Sequence, residues 1–140
     1  MIIDLDEPYD IQSIEGTNVL TLDFFKLIAD NQNVIPVAVQ NANTNEIILI
    51  AYTNELAFKE AIKQKKAIFW STSRNALWYK GLKSGNTFSL HSIYVNCEQN
   101  SLVYKVIPEK DGICHVTKDS IANNCFYREL DLETLELRFI

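Results

Sequence analysis

The 140-residue sequence has no apolar run that approaches the roughly 18 residues needed for a membrane-spanning helix. It opens with MIIDLDEPYD, which is acidic, whereas a secretory signal opens with basic residues followed by a long apolar stretch. Only four glycines and three prolines are present, so a flexible linker rich in either residue is absent as well. We therefore predict one domain over residues 1–140, located in the cytoplasm and without a membrane partner.

Basic residues are in the minority, with 13 Lys and Arg against 18 Asp and Glu and a net charge of −5. This balance argues against a nucleic-acid partner, because nucleic-acid-binding domains usually present a basic surface. Seven of the 13 basic residues nevertheless lie between Lys59 and Lys83, where the one acidic residue is Glu60. Such a segment suits an anionic ligand, for example a phosphorylated small molecule, although a solvated helix face gives the same pattern.

Segments typical of β-strands dominate the pattern of apolar residues. Val34–Gln40 and Glu46–Tyr52 are separated by turn-forming residues and predict a β-hairpin. Asn54 is a suitable N-cap for a helix with the sequence ELAFKEAIKQKK, and Leu20–Asn31 has the apolar spacing of a second short helix. Further strands are predicted for AIFWSTS, TFSLHSIYV, SLVYKVI and CFYREL, with a bulge inside the second. With 47% hydrophobic residues, the chain is predicted to form a single compact α+β domain of mostly antiparallel strands with one or two helices.

Three cysteines, Cys97, Cys114 and Cys125, are the sharpest chemical signal in the sequence. An odd number cannot pair completely, and cytosolic chains rarely keep disulfides. The C-x-x-C spacing of a closed structural zinc site is missing, whereas three ligands with an open fourth position are typical of catalytic zinc. His115, next to Cys114, suits proton transfer or a fourth ligand. The alternatives are three inert buried cysteines and an ordinary surface histidine, and the mid-strand His91 is interpreted as structural.

Residues 69–86 carry the polar groups best suited to a phosphorylated heterocycle. Hydroxyls, an arginine, lysines and glycine-exposed backbone all bind phosphate, and both tryptophans of the chain can stack on a base. The candidate substrate-binding residues are Trp70, Ser71, Ser73, Arg74, Trp78, Lys80, Ser84, Gly85 and Asn86. An ordinary turn beside two core tryptophans is the alternative interpretation of the same pattern.

Several strings in the sequence resemble, in the right order, the motifs of the phosphoribosyl-AMP cyclohydrolase family. FWSTSRNALWYKGLKSGNT is similar to its segment W-S-R-S-R-x-x-L-W-x-K-G-x-x-S-G, and IPVAVQNANTNEIILIAYTNELAF is similar to the family segment that precedes it. The pieces C-H and C-F-Y-R match its zinc region. The resemblance extends from about Leu20 to Arg128, which implies a family core at residues 20–130 and an N-terminal extension at residues 1–19.

This resemblance implies a zinc-dependent hydrolase of histidine biosynthesis that opens the adenine ring of phosphoribosyl-AMP. Zinc-bound hydroxide would attack C6, and His115 would act as the acid/base that helps N1 leave as the C6–N1 bond of the cyclic amidine breaks. Cys97, Cys114 and Cys125 would be the zinc ligands, and the candidate residues in 69–86 would lie in or near the site for the phosphorylated nucleotide. The family fold is an intertwined homodimer with zinc at the subunit interface and cysteines from both chains.

The sequence departs from the family pattern around its first cysteine. Family members carry three magnesium-binding aspartates in D-C-D-x-D, whereas this chain has Asn96, Glu98 and Asn100. Because Mg²⁺ favours carboxylate oxygens, these residues predict a degenerate site with weakened Mg²⁺ binding. Thr72 also replaces an arginine of the W-S-R-S-R motif, and the loop between the last two cysteines is longer than in the family. The alternative to a working cyclohydrolase is a diverged member that acts on another purine-like substrate, or a non-catalytic, zinc-stabilised dimeric binding protein.

Overall fold

The computed structural model describes residues 2–3, 16–22, 24, 33–110 and 124–140. Within these ranges the chain forms strands and one α-helix, arranged as an α+β domain. In chain order the elements are β1 (Ile2–Ile3), β2 (Ile35–Asn41), β3 (Ile47–Thr53), α1 (Glu55–Gln64), β4 (Ile68–Ser71), β5 (Ala76–Tyr79), β6 (Phe88–Val95), β7 (Leu102–Pro108), β8 (Arg128–Leu130) and β9 (Leu137–Phe139). No helix in the described part of the chain has the length and apolarity needed to cross a membrane.

The main sheet has four strands in the order β3-β2-β7-β6. β2 and β3 form the predicted antiparallel hairpin, in which Ala38 lies opposite Ile50. β6 and β7 form a second antiparallel pair. The two pairs are joined by parallel pairing of β2 with β7, where Val37 lies opposite Leu102.

A smaller sheet, in the order β1-β5-β4, packs against the main sheet. β4 and β5 form an antiparallel hairpin, and β1 pairs in parallel with β5. Phe69 of β4 reaches the core, where its ring centre lies 5.8 Å from that of Tyr104 and 5.3 Å from that of Trp78. A backbone hydrogen bond of 3.0 Å from the Ala67 N–H to the Phe88 carbonyl ties this hairpin to the start of β6.

Helix α1 forms where the sequence predicts it. The Asn54 side chain accepts a hydrogen bond from the Ala57 N–H at 2.9 Å, which satisfies one of the amides that every helix start leaves without a partner. The helix ends because Lys65 adopts the left-handed conformation, with a φ of 54°, and the Lys66 N–H returns to the Ala61 carbonyl at 3.3 Å. Ala57 and Ala61 are buried one turn apart and form its packing stripe.

The core lies on one face of the main sheet. Alternate residues of β2 and β7 point towards it, and Val37, Val39, Tyr104 and Val106 are fully buried. Burial raises the pKa of Tyr104 to about 12, so its phenol is neutral at physiological pH.

The opposite face of the main sheet is apolar but open to solvent in a single chain. We call it the outer face and define it by Pro36, Ala38, Ile50, Tyr94 and Val103, which line a shallow depression of about 310 Å³. The exposed fraction is 49% for Ile50 and 54% for Tyr94. Contiguous exposed apolar side chains are typical of an interaction surface.

The structure confirms the α+β class, the majority of antiparallel strands, the hairpin, the helix and the bulge. The bulge shifts the β6–β7 register between Leu90 and Ser92, as the change in alternation predicts. β1, β5 and β9 are strands that the apolar pattern does not predict.

The predictions for two other segments need correction. Residues 20–22 are not helical, and most of the remaining Leu20–Asn31 segment lies outside the described residues. The neighbouring residues are held by tertiary hydrogen bonds instead, because the Leu137 N–H donates to the Asn18 carbonyl at 3.2 Å. The strand predicted to start at Cys125 starts at Arg128, because the Asn124 side chain accepts a hydrogen bond from the chain two residues later and bends it.

Candidate active site

The turn between β4 and β5, which we call the first turn, presents two of the predicted phosphate-binding groups. Ser71 is buried at the end of β4, where its hydroxyl accepts a hydrogen bond from the Arg74 N–H at 3.3 Å and lies 3.5 Å from the Ser73 Oγ. Asn75 completes the turn with a φ of 52°, which asparagine tolerates better than most residues. Ser73 and Arg74 are exposed, so a hydroxyl and a planar guanidinium face solvent from a turn that Ser71 holds in shape.

The turn after β5, the second turn, is closed more tightly. Gly81 has a φ of 81°, and a Cβ there would lie 2.3 Å from the Asn86 carbonyl, so only glycine fits. Lys80 is 3% exposed; its Nζ donates to the Asn86 carbonyl oxygen at 3.4 Å and lies 5.2 Å from the centre of the Phe88 ring. Its ammonium therefore stabilises the turn from inside, while the Ser84 hydroxyl accepts the Asn86 N–H at 3.1 Å.

The two turns lie at opposite ends of the β4–β5 hairpin. Ser71 is opposite Ala76 at one end, and the Lys80 N–H donates to the Ala67 carbonyl at 3.2 Å at the other. The intervening strands separate the ends by about 13 Å at roughly 3.4 Å per residue. The structure therefore divides the predicted phosphate-binding residues into two separate groups.

The two tryptophans occupy neighbouring positions of this hairpin, with Trp78 opposite Phe69 and Trp70 opposite Leu77. Neighbouring pairs face opposite sides of a sheet, and the Trp78 side packs on the core. Both side chains are half-buried, and within the described residues neither indole N–H has a hydrogen-bond partner. The core interpretation holds for Trp78, and stacking of either ring on a base stays a prediction.

Cys97 lies in the turn between β6 and β7, which we call the Cys97 turn (residues 96–100). The Asn96 Oδ1 accepts hydrogen bonds from the backbone N–H groups of Asn100 at 2.9 Å and Ser101 at 3.0 Å. The Asn96 Nδ2 donates to the Asn100 Oδ1 at 2.7 Å, and the Asn100 Nδ2 donates to the Glu98 Oε2 at 3.2 Å. The side chains of Asn96, Asn100 and Glu98 thus form one chain of hydrogen bonds, and Cys97 is exposed beside them as a free thiol.

Cys125 is exposed at the opposite end of the main sheet. Its N–H donates to the Ile48 carbonyl at 2.8 Å, beside the start of the edge strand β3, whereas Cys97 follows the other edge strand at the end where β3 finishes. The two edge strands are three strand spacings apart, or about 14 Å at roughly 4.8 Å each. Two sulfur ligands of one zinc ion lie about 4 Å apart, so Cys97 and Cys125 of one chain cannot share it.

The remaining predicted groups lie elsewhere or outside the structure. Cys114 and His115 lie outside the described residues. Within the described ranges, no group of three or more His, Cys, Asp and Glu side chains is close enough to hold a metal ion. His91 is exposed at the β6 bulge with its Nδ1 3.2 Å from the Ser92 Oγ, and its structural role stays a prediction.

Comparison with known proteins assigns this arrangement to a family. Residues 49–127, which include all three cysteines, match the family described as phosphoribosyl-AMP cyclohydrolase. A phosphoribosyl-AMP cyclohydrolase of Chlorobaculum tepidum is 38% identical over 109 residues, covering 77% of this chain and 76% of the relative. The chain belongs to the phosphoribosyl-AMP cyclohydrolase family. This membership confirms the predicted family and the predicted enzyme class, a hydrolase of a cyclic amidine C–N bond.

Further relatives extend the similarity of this cyclohydrolase family member. The phosphoribosyl-AMP cyclohydrolase of Nitrosopumilus maritimus is 41% identical over 97 residues, which are 69% of this chain and 85% of the relative. A Thermus thermophilus protein named histidine biosynthesis bifunctional protein HisIE is 34% identical over 111 residues, which are 79% of this chain and 50% of that protein.

The Cys97 turn of this family member does not fit the magnesium ion that the family pattern implies. Both Asn96 and Asn100 use their Oδ1 atoms as acceptors within the turn, and both present N–H groups, which repel a cation. Glu98 contributes the one carboxylate among the three positions. Mg²⁺ requires near-octahedral oxygen ligands, and this donor set does not supply them.

Sequence reasoning missed Glu109, the residue after β7. Its carboxylate accepts hydrogen bonds from the Ser89 hydroxyl at 2.5 Å and from Thr87, and it pairs with Lys66; we call this group the Glu109 clamp. These bonds, first of all the one from Lys66, lower the pKa of Glu109 to about 2. The clamp fixes the point where the chain leaves β7, five residues before Cys114. No local motif reveals it, because its donors come from separate segments.

Proposed function

We propose that this protein is a zinc-dependent phosphoribosyl-AMP cyclohydrolase of histidine biosynthesis, a cytoplasmic homodimer in which each zinc ion is held by cysteines of both subunits. The observation that carries this proposal is the separation of Cys97 and Cys125 at opposite ends of one sheet. Thiols suit zinc, and both of these cysteines are exposed. The names of the Chlorobaculum and Thermus relatives support the substrate and the pathway.

Cys114 lies outside the described residues, and we propose that it binds zinc together with Cys125 of the same subunit. The chain leaves β7 at the Glu109 clamp, at the end where β3 begins and where Cys125 lies. Lys110 then lies against Gly85, where a Cβ would be 2.6 Å from its Nζ, so the segment leading to Cys114 starts beside the second turn. One zinc ion would therefore take Cys114 and Cys125 from one subunit and Cys97 from the other.

A second subunit also accounts for the outer face. Ile50 and Tyr94 are about half exposed in one chain, on a surface whose lining is apolar. Most oligomers are symmetric dimers that bury the same patch of both subunits, and burial of apolar area stabilises them. A dimer that covers the outer face would bury its apolar side chains, and it would also supply zinc ligands from both subunits.

We propose separate chemical roles for the zinc-binding cysteines, for His115 and for the first and second turns. Zinc held by thiolates supplies a water that is nucleophilic near neutral pH. His115 would act as the acid/base: it would take a proton from the water that attacks C6 of the adenine ring and give it to N1, so that the C6–N1 bond breaks to a carboxamide and a formimino group. The first and second turns would bind the two phosphates, and the separation of the turns suits a substrate with a phosphate at each end.

Mixed dimers test the two-chain zinc site. Cys97→Ser and Cys125→Ser should each lose zinc and turnover of phosphoribosyl-AMP. When the two variants are co-expressed, half of the dimers are mixed and one of their two sites is intact, so about a quarter of the parent activity should return. Zinc content and turnover of the purified mixture measure this recovery.

In the matched control, the Cys114→Ser variant is co-expressed with the Cys125→Ser variant. No zinc site is then intact, because each site needs both of these cysteines from the same subunit. No recovery is expected in this mixture. Absence of recovery in the first mixture, or full zinc content in either single variant, would contradict the shared site.

The amides of Asn96 and Asn100 and the buried Thr72, which replaces an arginine of the family motif, favour a second candidate. This is a diverged member that acts on another purine-like substrate, or a non-catalytic zinc-stabilised dimer. Turnover of phosphoribosyl-AMP by the zinc-loaded protein supports the cyclohydrolase. A folded, zinc-loaded dimer with no turnover supports the diverged member.

A further inference from the structure

In the Cys97 turn, side-chain hydrogen bonds lie where the family pattern implies a metal ion. We infer that the hydrogen-bonded amides of Asn96 and Asn100 hold this turn in shape without a divalent cation, so that the protein does not respond to Mg²⁺. The role of the turn in presenting Cys97 to zinc rests on the proposed function. The stability of the turn and its indifference to Mg²⁺ do not.

The backbone fixes which atom of each amide faces which partner. Two backbone N–H groups, of Asn100 and Ser101, point at one side-chain atom of Asn96, which must therefore be the oxygen. The other atom, Nδ2, is a donor and lies 2.7 Å from Asn100, whose facing atom must be an acceptor. The remaining Asn100 amide group donates to Glu98. Every side-chain polar contact in this chain of bonds pairs a donor with an acceptor.

Aspartates at the same two positions would reverse this balance. The 2.7 Å contact between residues 96 and 100 would join two carboxylate oxygens, and Glu98 would face one of them as well. Like charges at this distance repel unless a cation lies between them. The neutral amides remove both the repulsion and the need for the cation.

Backbone hydrogen bonds add to the side-chain bonds of Asn96 and hold the chain on both sides of Cys97. The Asn96 N–H donates to the Ser101 carbonyl at 3.2 Å, and the Gln99 N–H donates to the Asn96 carbonyl at 3.1 Å. Gln99 has a φ of 57°. Cys97 is therefore held inside a turn closed at both ends, which limits the directions its thiol takes. Asn96 and Asn100 act on the thiol through the turn and are positioning residues.

The test compares the zinc-loaded parent with Asn96→Asp/Asn100→Asp, in buffer stripped of other divalent ions and with added Mg²⁺ or Mn²⁺. The parent should keep the same melting temperature and zinc content with and without Mg²⁺, and its Mn²⁺ spectrum should remain that of the free ion. The double variant should melt about 4 °C lower without divalent ions, recover with Mg²⁺ and bind Mn²⁺. Asn100→Asp alone is the milder variant if the double one does not fold.

Gln99→Glu is the matched control, because it adds a carboxylate to the same turn and removes no side-chain bond of Asn96 or Asn100. It should remain indifferent to Mg²⁺. Stoichiometric Mn²⁺ binding by the parent, or a double variant that melts like the parent without divalent ions, would overturn the inference. If the parent proves inactive on phosphoribosyl-AMP while these melting and Mn²⁺ results hold, the proposed function fails and this inference stands.

Discussion

The two ends of the main sheet hold their loops by different kinds of interaction. At one end, the Cys97 turn is closed by neutral amides, with Asn96 bonded to Asn100 and to the backbone. At the other end, the Glu109 clamp joins a carboxylate to a lysine and two hydroxyls. Each end leads to a predicted zinc ligand. The side-chain bonds of Asn96 join neutral groups, whereas the clamp depends on the charge of a carboxylate, so acid is expected to weaken the clamp and not the bonds of Asn96.

Replacement of His115 should have the largest effect and should distinguish loss of catalysis from loss of zinc. His115→Ala removes the proton carrier beyond the clamp and should lower kcat by about 10²–10⁴-fold while zinc stays bound. Cys97→Ser at the opposite end should instead lose the metal and the activity together. Zinc content measured beside kcat distinguishes the two outcomes, and an active His115→Ala enzyme would remove this residue from the mechanism.

The two turns of the β4–β5 hairpin offer a smaller version of the same contrast. Arg74 is exposed on the first turn, so Arg74→Ala should raise the KM for phosphoribosyl-AMP by roughly 10–100-fold, the value of a charge-assisted hydrogen bond, without lowering the melting temperature. Lys80 is buried in the second turn, so Lys80→Met should lower the melting temperature. An unchanged KM in Arg74→Ala would exclude Arg74 from the phosphate site.

The smallest effect concerns the acid stability of the Glu109 clamp. The pKa of Glu109 in the folded protein is about 2, below its ordinary value of 4.5, because of its bonds to Lys66, Ser89 and Thr87. Its stabilisation is therefore complete above the ordinary pKa and is lost as the pH falls through the folded-state value. Since the pair is partly exposed, the contribution is about 1 kcal/mol.

Unfolding of the parent and of Glu109→Gln at several pH values checks this prediction. The stability difference between them should be largest near pH 7 and should shrink as the solution is acidified towards the folded-state pKa. Asn96→Ala is the comparison variant, because the Asn96 side chain bonds to an amide and to backbone N–H groups, and its stability loss should change little with pH. A difference for Glu109→Gln that is constant with pH would contradict the clamp.

Local sequence patterns predicted the structural features that depend on residues close together in the chain. The β2–β3 hairpin and the Asn54 cap follow from alternation, turn formers and one side chain, all within a few residues. Pairing of β2 with β7 leaves no such trace, because the partners are distant in sequence. The Glu109 clamp is invisible for the same reason, and the basic segment overstates the anion site because Lys66 pairs with Glu109.

The candidate site is predicted from composition and resemblance more than from geometry. The proposed zinc ligands follow from cysteine chemistry, whereas the placement of Cys97 and Cys125 at opposite ends depends on the order of strands in the sheet. Asn96 and Asn100 in place of aspartates indicate a weakened magnesium site, but the bond between these two amides depends on the conformation of the turn. The hydrogen-bond partners across a turn can be identified from the sequence only when the conformation of the turn is known.

The parallel junction between β2 and β7 also governs when the molecule can form during synthesis. The β2–β3 hairpin and helix α1 consist of local contacts and can form as soon as they emerge from the ribosome. The edge of β2 that β7 covers stays unpaired until Leu102 and the residues after it are available. At about 5–20 residues per second, that edge is exposed for several seconds in each nascent chain. The strand order that separates the cysteines therefore also leaves an interval during synthesis. In this interval, two nascent chains on one mRNA can pair incorrectly through their exposed β2 edges.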